Sequence, residues 1–352
     1  MIDLVLKEFG LNKETISVLP LRQGLINHTW KIAENGHAYI VQKINHHVFK
    51  NPEDIALNID LIAAFLKANQ PGYLFVSPLQ AVSGKSMIYR SKEGYYRAFP
   101  FVAGSHTKDV VETPEQAYEA AKQFGKFTKL LKGIDVTKLK ITIPSFHDLS
   151  LRYNQLLTAL EKGNQKRILE CADLIRQLKD WSYITDEYEK IKKNPAFKLR
   201  ITHHDTKISN VLFDKDNKGL CVIDLDTVMP GYFISDVGDM MRTYLSPVSE
   251  EETDFNKIEV RDEFYAAIVQ GYYHEMKGEL TEVEKEHFFF AGVFIIYMQA
   301  IRFLTDYIND DVYYGAKYTE HNLLRAKNQM VLLHRLFEKE SILANLQVSI
   351  EK

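Results

Sequence analysis

A chain of 352 residues that is 45% hydrophobic and 12% aromatic can bury a large core and is expected to form two lobes. Its formal net charge of −3, without any run of five or more Lys or Arg, leaves no electrostatic footprint for a nucleic-acid or polybasic membrane partner. Two cysteines, Cys171 and Cys221, argue against a disulfide scaffold and suit a reducing compartment. The opening Met1–Phe9 carries neither a basic nor an apolar signal region, so a cytosolic protein is expected.

Residues 1–18 read as a short helix and a strand, and Leu19 to Ile32 as strand, turn and strand with Gly24 at the turn. Tyr39 to Ile44 is a strand. Pro52 to Ala68 is predicted helical, with Ile55, Ile59, Ile62 and Phe65 or Leu66 at helical spacing. Ser83-Gly84-Lys85-Ser86 looks like the end of a phosphate loop, but Leu79 stands where that motif needs glycine, so it reads as a turn. β-prone pieces follow around Met87–Tyr89 and Tyr95–Phe99, joined by a turn at Ser91–Gly94. From Thr113-Pro114-Glu115, a good helix start, the chain is mostly helical except between Leu199 and about Ile234. The apolar stretch Phe288–Ile301 is too short to span a bilayer and reads as a buried core helix.

The most informative stretch is His203-His204-Asp205-Thr206-Lys207-Ile208-Ser209-Asn210, followed by Val211-Leu212-Phe213, a polar turn and Cys221-Val222-Ile223-Asp224. Phosphoryl transfer from MgATP needs a carboxylate to orient the attacking hydroxyl and take its proton. It also needs an amide oxygen and a second carboxylate to hold the metal on the phosphates. Asp205, Asn210 and Asp224 supply these in the order of a kinase catalytic loop and its metal-binding strand. Asp214–Gly219 carries turn chemistry, so a hairpin would return Asp224 towards Asn210 and let both reach one Mg²⁺. Only eleven residues separate Asp224 from Asp236, with no Ala-Pro-Glu anchor, which argues for a small-molecule over a protein substrate. Ser235-Asp236 reads as a helix start, with a structural role for Asp236.

The H-x-D-x-x-x-x-N and V-I-D strings resemble the aminoglycoside phosphotransferase and choline kinase superfamily. Longer segments are similar to its N-acetylhexosamine 1-kinases: Leu25–Trp30, Tyr39–Asn45, Val48–Pro52, Asp205–Phe213, Val222–Gly231 and Arg302–Tyr307. The resemblance, spread from about residue 20 to 330, implies an α+β fold with two protein-kinase-like lobes. They would be a β-rich N-terminal lobe over 1–102 and a helical C-terminal lobe over 103–352, with ATP in the cleft between them.

It also implies ATP and Mg²⁺ as cofactors, Asp205 as the catalytic base, and Asn210 and Asp224 as metal ligands. Gln23–Thr29, with Gly24 and Asn27, sits where a turn should cover the phosphates. Lys43, sharing a strand face with Val41, is the candidate phosphate lysine; a slip of one residue would put Gln42 there instead. The following helix offers Asn58, or Glu53 and Asp54, where a protein kinase has a glutamate partner. The linker Ala98–Val102, including Phe101, would recognise adenine. On the substrate side Arg302 leads, with Asp226, Asp239, Arg242 and Tyr314 behind it, although Arg302 and Asp306 could simply pair on their helix. The expected reaction is phosphorylation of the anomeric hydroxyl of N-acetylglucosamine or N-acetylgalactosamine by a monomer or homodimer. A kinase for choline, homoserine or an aminoglycoside, or a nucleotide-binding pseudokinase, is the alternative.

Overall fold

The computed structural model describes residues 2–11, 16–21, 26–34 and 36–351. In chain order it opens with α1 (Ile2–Glu8), β1 (Ile16–Leu21), β2 (His28–Glu34), β3 (His37–Lys43), α2 (Pro52–Asn69), β4 (Ile88–Arg90) and β5 (Gly94–Pro100). There follow α3 (Pro114–Leu130), α4 (Leu149–Lys162), α5 (Gln165–Glu170), α6 (Ala172–Asp180), α7 (Tyr183–Lys193) and β6 (Arg200–Thr202). Then come β7 (Val211–Phe213), β8 (Gly219–Val222) and β9 (Met229–Gly231). The chain ends with α8 (Phe233–Tyr244), α9 (Asp262–Met276), α10 (Glu282–Lys285), α11 (Phe288–Ile308), α12 (His321–Glu338) and α13 (Glu340–Glu351). A β-rich first hundred residues followed by a helical remainder is the α+β pattern expected from the sequence.

Two compact units divide the chain. The first is Met1–Thr107 with Leu130–Pro144 and Asn210–Pro230; the second is Lys108–Lys129, Ser145–Ser209 and Gly231–Lys352. The first unit therefore runs past residue 102 and takes in residues 210–230.

The first unit is built on an antiparallel sheet in the order β1-β2-β3-β5-β4. Strand alternation sorts its side chains. Val41, Tyr96 and Ala98 lie on the face that buries Val5 and Leu6 of α1 and Phe9 just after it. Gln42 and Arg97, paired in register, lie on the other face. Helix α2 begins with Pro52 and carries Glu53 and Asp54 in its first turn, where the helix dipole favours them. Its Ile55, Ile59, Ile62 and Leu66 are buried at 3–4-residue spacing, as the sequence pattern requires. The Ser83–Ser86 segment is a tight turn, closed by Gly84 N–H donating to Ala81 O and Ala81 N–H to Lys85 O.

In the second unit α11 is the central element. By length and composition it could cross a membrane, but 78% of its most apolar window is buried inside the protein, against α4, α8 and α12 among others. A Cβ on Gly238 of α8 would lie 2.1 Å from the Ala291 carbonyl oxygen, so α8 and α11 approach this closely only through a glycine.

Candidate active site

In the first unit, β7 and β8 form the hairpin that the turn chemistry predicts. The Asp214 side chain accepts the N–H groups of Asp216 and Lys218, and Asn217 takes the left-handed conformation at φ 58°. Val211 pairs with Val222, and Ile223 N–H donates to Asn210 O at 2.8 Å, so Asn210 and Asp224 stand at one end of the hairpin. Asp224 itself is left-handed (φ 60°, ψ 61°), a conformation rare outside glycine and tolerated by Asp. Reciprocal bonds between His106 and Phe213 backbones tie the hairpin to the segment after β5.

The loop after Asp224 is held from three directions. Arg97, 1% exposed, forms an ion pair with the buried Asp226 carboxylate, and its guanidinium also donates to Gln42 Oε1 at 2.7 and 2.9 Å. Asn27 donates to Asp226 at 2.7 Å. Asn58 of α2 donates to the carbonyls of Val228 and Lys140 and accepts from Lys140 N–H.

This arrangement alters several expectations. Asp226 lies in a buried ion pair rather than lining a substrate cavity. Asn27 braces that pair and accepts the N–H of Asn45. Lys43 lies on the α1 face of the sheet, with its Nζ 6.0 Å from the Tyr96 ring centre, opposite to Gln42, Arg97 and Asp226. Lys43 and Val41 do share one strand face, while Gln42 lies on the other, beside the Arg97 cation and the Asp226 ion pair. Val41 is fully buried in the core, not available to adenine. Asn58 binds backbone instead of a lysine. Phe101 donates its N–H to Ala38 O, and the Lys31 ammonium sits 3.6 Å above its ring. Gly24 lies outside the described residues.

In the second unit the 203–207 loop is fixed by backbone donors. His203 and His204 N–H groups donate to the Asp236 carboxylate at 3.0 and 2.8 Å, and Thr206 N–H donates to Asp239 at 2.8 Å. The Tyr244 hydroxyl donates to Thr206 O. Asp236, within the first turn of α8, therefore secures this loop rather than its own helix start. Arg242 spans Asp239 and Glu250 at 2.8 and 2.7 Å, and Arg325 holds Glu250 from α12. Asp239 and Arg242, expected near substrate, form the scaffold under the loop. The His203 ring packs edge-on to Phe124 and Phe127. A Cβ on Gly231 would fall 2.4 Å from the His204 ring, so glycine is required there. With its backbone so held, the Asp205 side chain remains 24% exposed, and Lys207 Nζ lies 3.2 Å from its carboxylate. The Asp205 charge pushes the Lys207 ammonium above its ordinary value.

Burial pushes the Asp236 carboxyl up to about 7, against the pull of the two backbone N–H groups. A carboxyl near 3.9 in the unfolded chain contributes most below pH 4 and progressively less as pH rises to 7. Asp236→Asn does not titrate and should therefore cost less stability at pH 8 than at pH 5, read from urea unfolding midpoints. A greater cost at pH 8 would contradict this.

A cavity of about 390 Å³ lies between α4 and α11. On α11, Arg302, Thr305, Asp306 and Asn309 share one face by helical spacing; on α4, Arg152, Gln155, Ala159 and Lys162 do the same. The Tyr313-Tyr314 segment completes the lining, held because the Asp306 carboxylate accepts both their N–H groups at 2.7 and 2.9 Å. Asn322 adds a bond to Asp306 at 3.2 Å. Arg302 does not pair with Asp306: its guanidinium lies between the rings of Phe146, Tyr313 and Tyr314, at 5.4–5.9 Å. Asp306→Ala leaves two N–H groups without their acceptor and should cost about 1–3 kcal/mol, read as a lowered unfolding midpoint.

The profile of the phosphotransferase enzyme family matches residues 17–282. The chain belongs to this family. Among solved structures, this phosphotransferase is similar to an aminoglycoside phosphotransferase from Alicyclobacillus acidocaldarius. The TM-score is 0.61 at 13% identity, over 95% of this chain and 92% of that one. It is also similar to an amicoumacin kinase in complex with AMP-PNP, Ca²⁺ and Ami (TM-score 0.59, 15% identity, 99% and 92% covered). A choline kinase from Cryptosporidium parvum matches with a TM-score of 0.56 at 14% identity over 95% and 94%. At these identities the likeness is one of fold, the kinase-like fold of this family.

The donor set of the phosphotransferase suits its expected metal. Asn210 and Asp224 offer oxygen, the donor of hard cations, and Mg²⁺ takes only one or two protein ligands beside phosphate and water. Among the described residues no group of three or more His, Cys, Asp or Glu converges as a further metal site. Sequence reasoning missed Arg97, whose signal was a lone cation in the apolar strand Gly94-Tyr-Tyr-Arg-Ala-Phe-Pro100. It also missed Arg152 and the polar stripe of α4.

Proposed function

We propose that this phosphotransferase uses MgATP to phosphorylate the anomeric hydroxyl of an N-acetylhexosamine, giving the sugar 1-phosphate and ADP. The observation that carries the reading is the α4–α11 cavity, where guanidinium, amide and hydroxyl groups stand beside tyrosine rings as a sugar requires. The resemblance of Arg302–Tyr307 to N-acetylhexosamine kinases supports the same choice. Residues 1–102 and 103–352 would act as the two kinase lobes.

Asp205 orients the hydroxyl and takes its proton as the new oxygen–phosphorus bond forms. Asn210 and Asp224 hold Mg²⁺, with Arg97, Asn27 and Asn58 fixing the loop between Asp224 and Val228. Lys207 places a positive charge beside the attacking oxygen. MgATP supplies the phosphoryl group, and ADP leaves with the bridging oxygen. Arg302 and Tyr314 contact the sugar, while Asp239 and Arg242 act through the catalytic loop. Catalysis is then mainly positioning and electrostatics.

The test is ADP release with N-acetylglucosamine, N-acetylgalactosamine, glucose, galactose, choline, homoserine and kanamycin, followed by phosphorus NMR. Phosphate on C1 of an N-acetylhexosamine is the expected result. Turnover of choline or kanamycin alone would refute the substrate and keep the chemistry. ATP binding without any turnover would favour a pseudokinase.

A further inference from the structure

Three cations, Arg152, Lys162 and Arg302, line the α4–α11 cavity against one carboxylate, Asp306. That carboxylate is already occupied by the Tyr313 and Tyr314 N–H groups and by Asn322. Among the described residues neither Arg152 nor Arg302 pairs with a carboxylate. Arg302 donates to Gln299 Oε1 at 3.2 Å. Arg152 donates to Gln155 Oε1 and to the carbonyls of Ser145 and Phe146, and its buried Nε has no acceptor. The hydrogen-bond acceptors of both guanidiniums are thus neutral oxygens, one from each wall of the cavity, and the carboxylate charge that acts on Arg152 is that of Asp148, before the first turn of α4.

Two guanidiniums held this way repel each other, and burial followed by Arg302 pulls Arg152 below its ordinary value. Hydroxyls and an acetamide could be recognised by Asn and Gln alone. A planar, permanently charged donor is the group suited to bidentate carboxylate or phosphate binding. Ring contacts through Phe146 link the cavity's Arg302 to the 203–207 loop. Phe146, 5.6 Å from the Arg302 guanidinium, stacks on His147 and meets the His204 ring edge-on at 6.5 Å.

We infer that the acceptor bound here carries an anionic group, a carboxylate or a phosphate, held jointly by Arg152 and Arg302. The substrate class becomes an acidic N-acetylhexosamine, and a cationic acceptor is repelled. This inference rests on the reading of the cavity as the acceptor site.

The experiment compares three acceptors with MgATP: N-acetylglucosamine, its 3-O-lactyl ether carrying a carboxylate, and its 6-phosphate. At least one acid should exceed the neutral sugar roughly tenfold or more in kcat/KM, as hydrogen bonds to charged groups allow. Which acid gains identifies carboxylate or phosphate. Arg152→Gln should erase the advantage through KM, Arg152→Lys should retain part of it, and added salt should weaken it. Equal or better use of the neutral sugar overturns the inference and leaves the N-acetylhexosamine reading standing. Turnover of choline or kanamycin with no sugar phosphorylated overturns both. If no acceptor turns over, calorimetry of the acids decides: tighter binding than the neutral sugar, lost in Arg152→Gln, supports the inference, and no binding overturns it.

Discussion

Asp205→Asn should lose about 10²–10⁴-fold in kcat while keeping its unfolding temperature, because the amide can still orient a hydroxyl but cannot take its proton. The loop does not depend on the Asp205 side chain for its shape. His203, His204 and Thr206 are held by backbone N–H bonds to Asp236 and Asp239, and Tyr244 secures the Thr206 carbonyl. The loss therefore falls on the chemical step, with KM for ATP and for the acceptor alcohol changing little. Lys207 loses its carboxylate partner in the same variant, so its ammonium should return towards the ordinary lysine value. Steady-state kinetics with a melting curve on the same sample make the test. Activity within threefold of the wild type would remove Asp205 from the mechanism.

Arg97→Ala should destabilise the protein by about 3–5 kcal/mol, the cost of leaving one member of a buried ion pair uncompensated. Asp226 is 2% exposed, and Asn27 can meet only part of the lost charge and hydrogen bonding. Removing both charges, as in Arg97→Met with Asp226→Leu, should cost less than Arg97→Ala alone, since no orphaned charge remains. The single variant should also need more Mg²⁺ for half-maximal activity, because the Leu225–Thr227 turn that follows Asp224 loses one of its ties. Urea unfolding of the two variants and an Mg²⁺ titration measure these effects. A double variant less stable than the single would show that the pair is not acting as a charge pair.

How much could be read beforehand depended on the range of the interactions. The β7–β8 hairpin was legible because its turn is made by its own residues, Asp214 and Asn217. Helix α2 and the buried α11 were legible because their periodicity and apolar content are local. The choice between Lys43 and Gln42 was not, since a strand has two faces and only pairing with β5 and the packing of α1 decide which one points where. Arg152, Gln155, Ala159 and Lys162 read like a solvated helix face until α11, far along the chain, is laid against them. A structural role for Asp236 could be read, but its partners and those of Asp239 could not, because they are backbone N–H groups about thirty residues away.

The ties on the loop after Asp224 have a consequence for how the protein comes to be active. Asn27 and Asp226 are 199 residues apart in sequence, and Asn58 and Val228 are 170 apart. Closing such long spans is entropically slow and yields nothing until both ends are in place. During synthesis the first hundred residues must wait for the hairpin to emerge before these bonds can form. Competence to bind metal should therefore arise late in folding and disappear early on partial unfolding, making Mg²⁺ affinity a sensitive reporter of whether the first unit is complete.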